Sequence, residues 1–163
     1  MAKVREDQPL VPSVLDRLLD DQPGNRSEAP KSRHQVLREL KLSVQRDLQN
    51  LLNTRWRSDP WPADLDELDL SLVSYGIPDF SGIQMGAPSE RERLRMIVEQ
   101  AIRKFEPRFK TVRVTLSDHK DATDRMLRFK IDAMLYAEPA PEPVVFDSQL
   151  EPATGTFAVQ APG

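Results

Sequence analysis

Cysteine is absent from this 163-residue chain, which removes disulfide staples and thiolate metal ligands. Histidine occurs only as His34 and His119. Neither stands in a His-x-x-x-His or His-Glu-x-x-His pattern, so a catalytic zinc lacks its usual ligands. No nucleophile-elbow sequence accompanies them, and a serine without a positioned base is a poor nucleophile. Exposed or structural histidine is the preferred reading. The glycines form neither a Gly-x-x-x-x-Gly-Lys-Ser/Thr phosphate loop nor a dinucleotide fingerprint. Asp64, Asp66, Glu67 and Asp69 lack the turn glycine and terminal glutamate of a calcium loop, and read as a solvated acidic turn. The residues therefore point to no catalytic site, no metal and no cofactor.

Long apolar runs are also missing, so nothing in the sequence reads as a bilayer span, and Met1 to Asp7 lead into no secretory h-region. A cytoplasmic protein without membrane insertion is expected. With 23 basic and 26 acidic residues, the net charge of -3 gives no global attraction to nucleic acid. The length suits one domain with trimmed ends. The expected organisation is a short helix and flexible linker over 1–31, a folded domain over 32–159, and a disordered tail over 160–163. The fourteen prolines mostly mark joints outside the periodic segments.

What is present is strong periodicity. Val14, Leu15, Leu18 and Leu19 make a short apolar stripe that must dock to survive, with Ser13 as a candidate cap. Ser32 and Gln35 form a capping box, followed by Leu37, Leu40, Val44, Leu48 and Leu51 at alternating intervals of three and four. This is a long amphipathic helix, with Arg38, Glu39, Arg46 and Asn50 on or near its hydrated face. Residues 58–86 predict turns, a short strand and local packing of Leu65, Leu68, Leu70, Leu72 and Val73. Ser89 and Glu92 suggest a second capping box, and Leu94, Ile97, Ala101, Ile102 and Phe105 a second helix that Pro107 ends.

Beyond Pro107 the period changes to two. Val112, Val114 and Leu116 alternate with polar residues, and Leu127, Phe129, Ile131, Ala133 and Leu135 do the same after a polar connection. An antiparallel hairpin is expected, its apolar face covered by a helix. Glu138 to Pro143 should leave the sheet as a spacer, and two further short strands should follow around a turn at Gly155. The fold class is α+β: amphipathic helices packed on a small, mainly antiparallel sheet.

Two polar sites stand out. Arg55, Trp56 and Arg57 with Trp61 could stack on nucleic acid, but Asp59 and Asp64 spoil the electrostatic groove. Helix-end packing or a protein contact is preferred. In Phe105-Glu106-Pro107-Arg108-Phe109 the proline stiffens a helix-to-strand corner and offers one charge of each sign. The corner is either an internal brace or a rigid two-sign contact for a partner.

Several fragments in order carry a resemblance: Ser13 to Leu18 (SVLDRL), Val44 to Arg55 (VQRDLQNLLNTR), Ser74 to Phe80 (SYGIPDF), Glu106-Pro107-Arg108, the strand hairpin, and the Pro-rich approach to Val144-Val145-Phe146. Together they resemble the TssE family of type VI secretion baseplate subunits, which belongs to the lysozyme-like contractile-tail wedge proteins. The resemblance spans most of the chain. Phe109, where relatives carry leucine, and the Pro/Ala tail depart from the pattern.

The resemblance implies a non-catalytic structural wedge component, bound to other wedge subunits (TssF, TssG and TssK), to sheath subunits (TssB and TssC) and to the central hub. It implies a cytoplasmic position at the membrane-docked baseplate. Partner-binding residues implied by it are Glu106, Pro107, Arg108, Arg55, Tyr75 and Asp79. By analogy with the strand-exchanging domain of sheath subunits, an edge within Val112 to Leu135 or Val144 to Val159 would accept a sheath strand. The alternatives are a phage-tail wedge homologue and a peptidoglycan-cleaving glycosidase. The latter needs two carboxylates across a sugar cleft. No such pair is identifiable, and if Glu106 and Arg108 pair, the carboxylate would tend to stay ionised, the wrong bias for a general acid.

Overall fold

The computed structural model describes residues 14–18, 32–56, 62, 64–80, 86–117, 126–137 and 140–161. A five-residue helix α1 (Val14–Leu18) leads the described chain. Helix α2 (Arg33–Asn53) starts on the reciprocal cap expected from the sequence. The Ser32 hydroxyl accepts from the Gln35 N–H, and the Gln35 side chain accepts from the Ser32 N–H. Two 3₁₀ turns (Asp66–Leu70 and Leu72–Ser74) precede helix α3 (Pro88–Phe105). Strands β1 (Phe109–Ser117), β2 (Leu127–Leu135), β3 (Glu142–Glu151) and β4 (Thr156–Gln160) complete the chain.

The four strands pair antiparallel in sequence order, and α2 and α3 pack across one face of the sheet. Alternation selects that face. Leu127, Phe129, Ile131, Ala133 and Leu135 are buried, while Arg128, Lys130, Asp132 and Met134 lie on the opposite face. Leu40, Val44, Leu48 and Leu51 supply the α2 stripe, and Leu94, Ala101 and Ile102 that of α3, joined by Leu52 and Val98. This is the α+β class expected from the two periods. Glu67, Asp69 and Asp64 are exposed. Among the described residues no helix is long and apolar enough to cross a membrane, and no group of three or more His, Asp or Glu is placed to hold a metal.

Several local expectations change. Ser89 sits inside α3, because Pro88, whose fixed φ suits the first helical position, starts the helix earlier with Ala87 as its cap. Leu65, Leu72 and Val73 are exposed instead of packing locally, and so are Val14, Leu15 and Leu18 of α1. Pro143 is a member of β3, opposite Met134, and not part of a connector. Ser13, the linker over 20–31, Arg57, Trp61, His119 and residues 162–163 lie outside the described residues.

The strand edges explain the tolerance of Pro143. In an antiparallel ladder the N–H and C=O of a residue point to the same side and alternate along the strand. Asn53 bonds both the N–H (2.9 Å) and the C=O (2.9 Å) of Phe157, and Gln45 donates to the Val159 carbonyl (2.9 Å). Those groups therefore face outward from β4, which places the odd-numbered groups of β3 on the β4 side. β4 pairs only with Asp147 to Glu151, so at Pro143 the missing N–H falls where no strand needs it. The opposite edge is closed by α3: Arg103 donates to the Val112 carbonyl (3.2 Å), Arg95 to the Val114 carbonyl (3.0 Å), and Glu99 accepts from the Val114 N–H (3.0 Å).

One close approach ties the middle segment to α2. Ile77 N–H donates to the Thr54 carbonyl (3.0 Å) and Trp56 N–H to the Ile77 carbonyl (3.2 Å), a parallel bridge between Arg55 and Ile77. Gly76 permits it with φ at +111°, and a Cβ there would stand on the Thr54 backbone.

Gly76→Ala should accordingly cost about 3 kcal/mol, combining left-handed strain with a backbone clash; a urea midpoint equal to that of the parent would refute the constraint. Glu99 makes a second test. The Val114 N–H bond holds its carboxyl below the usual range; burial opposes this, and Arg95 and Arg103 reinforce it. A depressed folded-state pKa stabilises above the unfolded value of about 4.3 and loses that contribution as pH falls through the folded-state value. The stability deficit of Glu99→Gln should thus be present at pH 7 and shrink in acid, read from paired urea titrations; a deficit independent of pH would exclude the charge.

Candidate functional site

The corner between α3 and β1 gathers its charges around one guanidinium. Glu106 caps the C-terminus of α3, its N–H donating to the Ile102 carbonyl (2.9 Å) and its carbonyl accepting from Phe109 (3.3 Å). Pro107 follows at the exposed tip. Chain direction then reverses into β1, and the Arg108 carbonyl accepts from the Tyr136 N–H (2.9 Å) just past β2. A one-residue register shift between Phe109 and Thr111 starts the strand. Tight local bonding thus fixes where the Arg108 side chain leaves the backbone.

From there it reaches three acceptors. Arg108 Nε donates to Glu106 Oε1 (2.6 Å) and Nη2 to Glu106 Oε2 (2.5 Å), a two-point pair with a carboxylate that is only 5% exposed. Nη2 also meets Asp47 Oδ2 (2.7 Å), and Nη1 donates to Ser43 Oγ (3.0 Å), both on α2. Arg46 adds a contact to Asp47 Oδ1 (3.1 Å). Burial disfavours the Arg108 cation, but hydrogen bonds and attraction from Glu106, then Asp47, outweigh it, and its pKa rises. The geometry is that of the internal brace, one of the two readings left open by the sequence.

Beside the brace lies an open pocket of about 410 Å³. Leu51, Tyr75, Phe105 and Pro107 form its apolar side, with Asp47, Glu106 and Arg108 along the other. Tyr75 stacks edge-on against Phe105 at 5.3 Å between centroids. Desolvation, and then the charges of Asp47 and Glu106, push the phenol pKa up, so Tyr75 presents an uncharged hydroxyl at neutral pH. Exposed Pro107 and half-buried Tyr75 are the groups at this corner that another surface can touch without dismantling the brace.

The remaining candidates fall elsewhere. Arg55 turns inward, donating to the carbonyls of Leu52 (2.8 Å) and Gly155 (2.5 Å) and lying over the Phe80 ring at 4.5 Å. Burial pushes its pKa down, with Asp79 acting against that. It clamps the end of α2 to the β3–β4 turn, while Asp79 is exposed nearby in sequence to Phe80. Helix-end packing, preferred over a nucleic-acid patch, is what Arg55 does. Sequence reasoning missed Ser43 and Asp47 as members of the corner. Their four-residue spacing puts them on one face of α2, and that was the available signal.

For catalysis the corner offers little. Both oxygens of Glu106 are engaged by Arg108, and Asp47 is shared between Arg108 and Arg46.

Removing the cation tests the brace. Arg108→Met should cost about 3 kcal/mol, because a buried carboxylate loses its partner, and adding Glu106→Gln should recover at least about 1 kcal/mol of it. Urea unfolding of the two variants would read this, and a double variant no more stable than the single one would remove the pair as the cause. Reversing the charge at Arg108 should destabilise the isolated fold as well, because it sets a third carboxylate beside Asp47 and Glu106.

Residues 38–140, well over half of the chain, match the family model described as baseplate wedge protein gp25. A chain of a solved structure, "The baseplate complex from the type VI secretion system", is similar at 21% identity with a TM-score of 0.48, over 70% of this chain and 96% of that one. No curated protein matches. On the family match, the chain belongs to the baseplate wedge protein gp25 family.

Proposed function

We propose that this chain is a non-catalytic structural subunit of a type VI secretion baseplate, joining wedge proteins and helping contractile sheath assembly to start. Family membership carries the reading, since the family is a structural baseplate component. The ordered fragments that resemble type VI baseplate subunits support it. The occupied carboxylates of the corner support a role without chemistry. On this reading the partners are the wedge subunits TssF, TssG and TssK, the sheath subunits TssB and TssC, and the central hub, met in the cytoplasm at the membrane-docked baseplate.

The corner at Glu106-Pro107-Arg108 is the docking site for another wedge subunit. Glu106 and Arg108 hold the turn rigid, so Pro107 and the Tyr75 side of the pocket are presented without further ordering cost, and preorganised surfaces bind more tightly for the same area. Arg55 and Asp79 contribute at the other end of the same segment, Arg55 by fixing the chain and Asp79 by offering an exposed charge.

Pro107→Lys tests this without touching the brace. An exposed substitution with loss of a turn proline should change stability by no more than about 1 kcal/mol, yet a long charged side chain at the tip should abolish co-purification of wedge subunits and secretion. Normal wedge recovery and normal secretion, at parental abundance, would take the corner out of the interface.

A further inference from the structure

We infer that the edge of this sheet open to an added strand is the first half of β3, at Pro143 and Val145, and that the outer edges of β1 and β4 are closed to it. The inference rests on the reading that a sheath strand pairs with this sheet, and adds where it does so. Backbone hydrogen-bonding groups decide the matter. On β1 the outward C=O of Val112 and the N–H and C=O of Val114 are taken by Arg103, Glu99 and Arg95 of α3. On β4 the outward N–H and C=O of Phe157 and the C=O of Val159 are taken by Asn53 and Gln45 of α2. A strand arriving at either edge would have to displace three satisfied bonds, those on β1 to charged side chains and those on β4 to side-chain amides, before forming its own.

β3 is different in its first half. β4 pairs with Asp147 to Glu151 and no further, while β3 itself begins at Glu142. By the alternation established above, Val145 turns its N–H and C=O to the β4 side, and no described residue bonds them. Pro143 offers a carbonyl on that side and has no N–H to leave unpaired. α2 overhangs the slot, its Lys41 reaching Glu142 at 3.6 Å. The occupant is therefore a short extended segment of a partner chain, held by main-chain bonds in line with β4, where α2 already covers its inner face.

Amide hydrogen exchange at residue resolution, on the whole protein alone and in baseplates carrying sheath subunits, reads each edge separately. Val145 should exchange freely in the isolated protein and slow by at least about 100-fold with sheath bound. Val145→Pro, which removes an N–H that the fold does not use, should keep the parental unfolding midpoint within a few degrees and lower the number of sheaths initiated by at least about tenfold. Slowed exchange at Lys110, Leu116 or Val159 instead would overturn the choice of β3 while leaving strand addition intact. Stable sheath attachment with no edge amide slowed would remove strand addition itself. Protection of Val145 already in the isolated protein would show the slot filled from within the chain, and would overturn the inference.

Discussion

A buried carboxylate needs a cation, and much of this architecture follows from how Glu106 obtains one. At 5% exposure the group has little water to solvate it. Arg108, two residues on, supplies both donors in fork geometry, and its remaining N–H groups reach Ser43 and Asp47 across the layer. One side chain thereby joins the end of α3, the start of β1 and the middle of α2. Its own carbonyl holds the residue after β2. The angle at which the second helix hands over to the sheet is set by this contact, and the sheet register begins one residue later.

Helices here do more than cover a face. The same two helices that bury the apolar side of the sheet send polar side chains around its two sides, where they meet the outward backbone groups of β1 and β4. Arg95, Glu99 and Arg103 are four residues apart in succession and so share one face of α3, from which Arg95 and Glu99 both reach Val114 and Arg103 reaches Val112. The outer edges of β1 and β4 are thus guarded, while the first half of β3, which β4 does not reach, is not.

The two periodicities made the fold class legible, because the apolar stripes of α2 and α3 and the alternation of β1 and β2 each carry their own spacing. The cap at Ser32 was legible for the same reason, since both halves of the motif lie within one turn. Most of what escaped was long-range. Nothing near Asp47 announces Arg108, 61 positions away, and nothing near Asn53 announces Phe157. Pro143 misled because proline removes a donor from a strand, and only the pairing of β4 reveals that the donor is unneeded there. Ser89 misled because two start signals compete and Pro88 comes first. At Glu106 and Arg108 the residues were visible while their orientation was not: adjacent opposite charges are compatible with facing inward or outward, and burial decides.

The edge-covering side chains also have a place in time. Residues 45, 53, 95, 99 and 103 all precede the first strand in chain order. During synthesis from the N-terminus, α2 and α3 leave the ribosome before any strand exists to be guarded, so each edge meets its cover as it forms. Exposed strand edges are the main route by which nascent sheets pair with the wrong neighbour. Placing the guards upstream shortens that interval to the time a helix needs to dock.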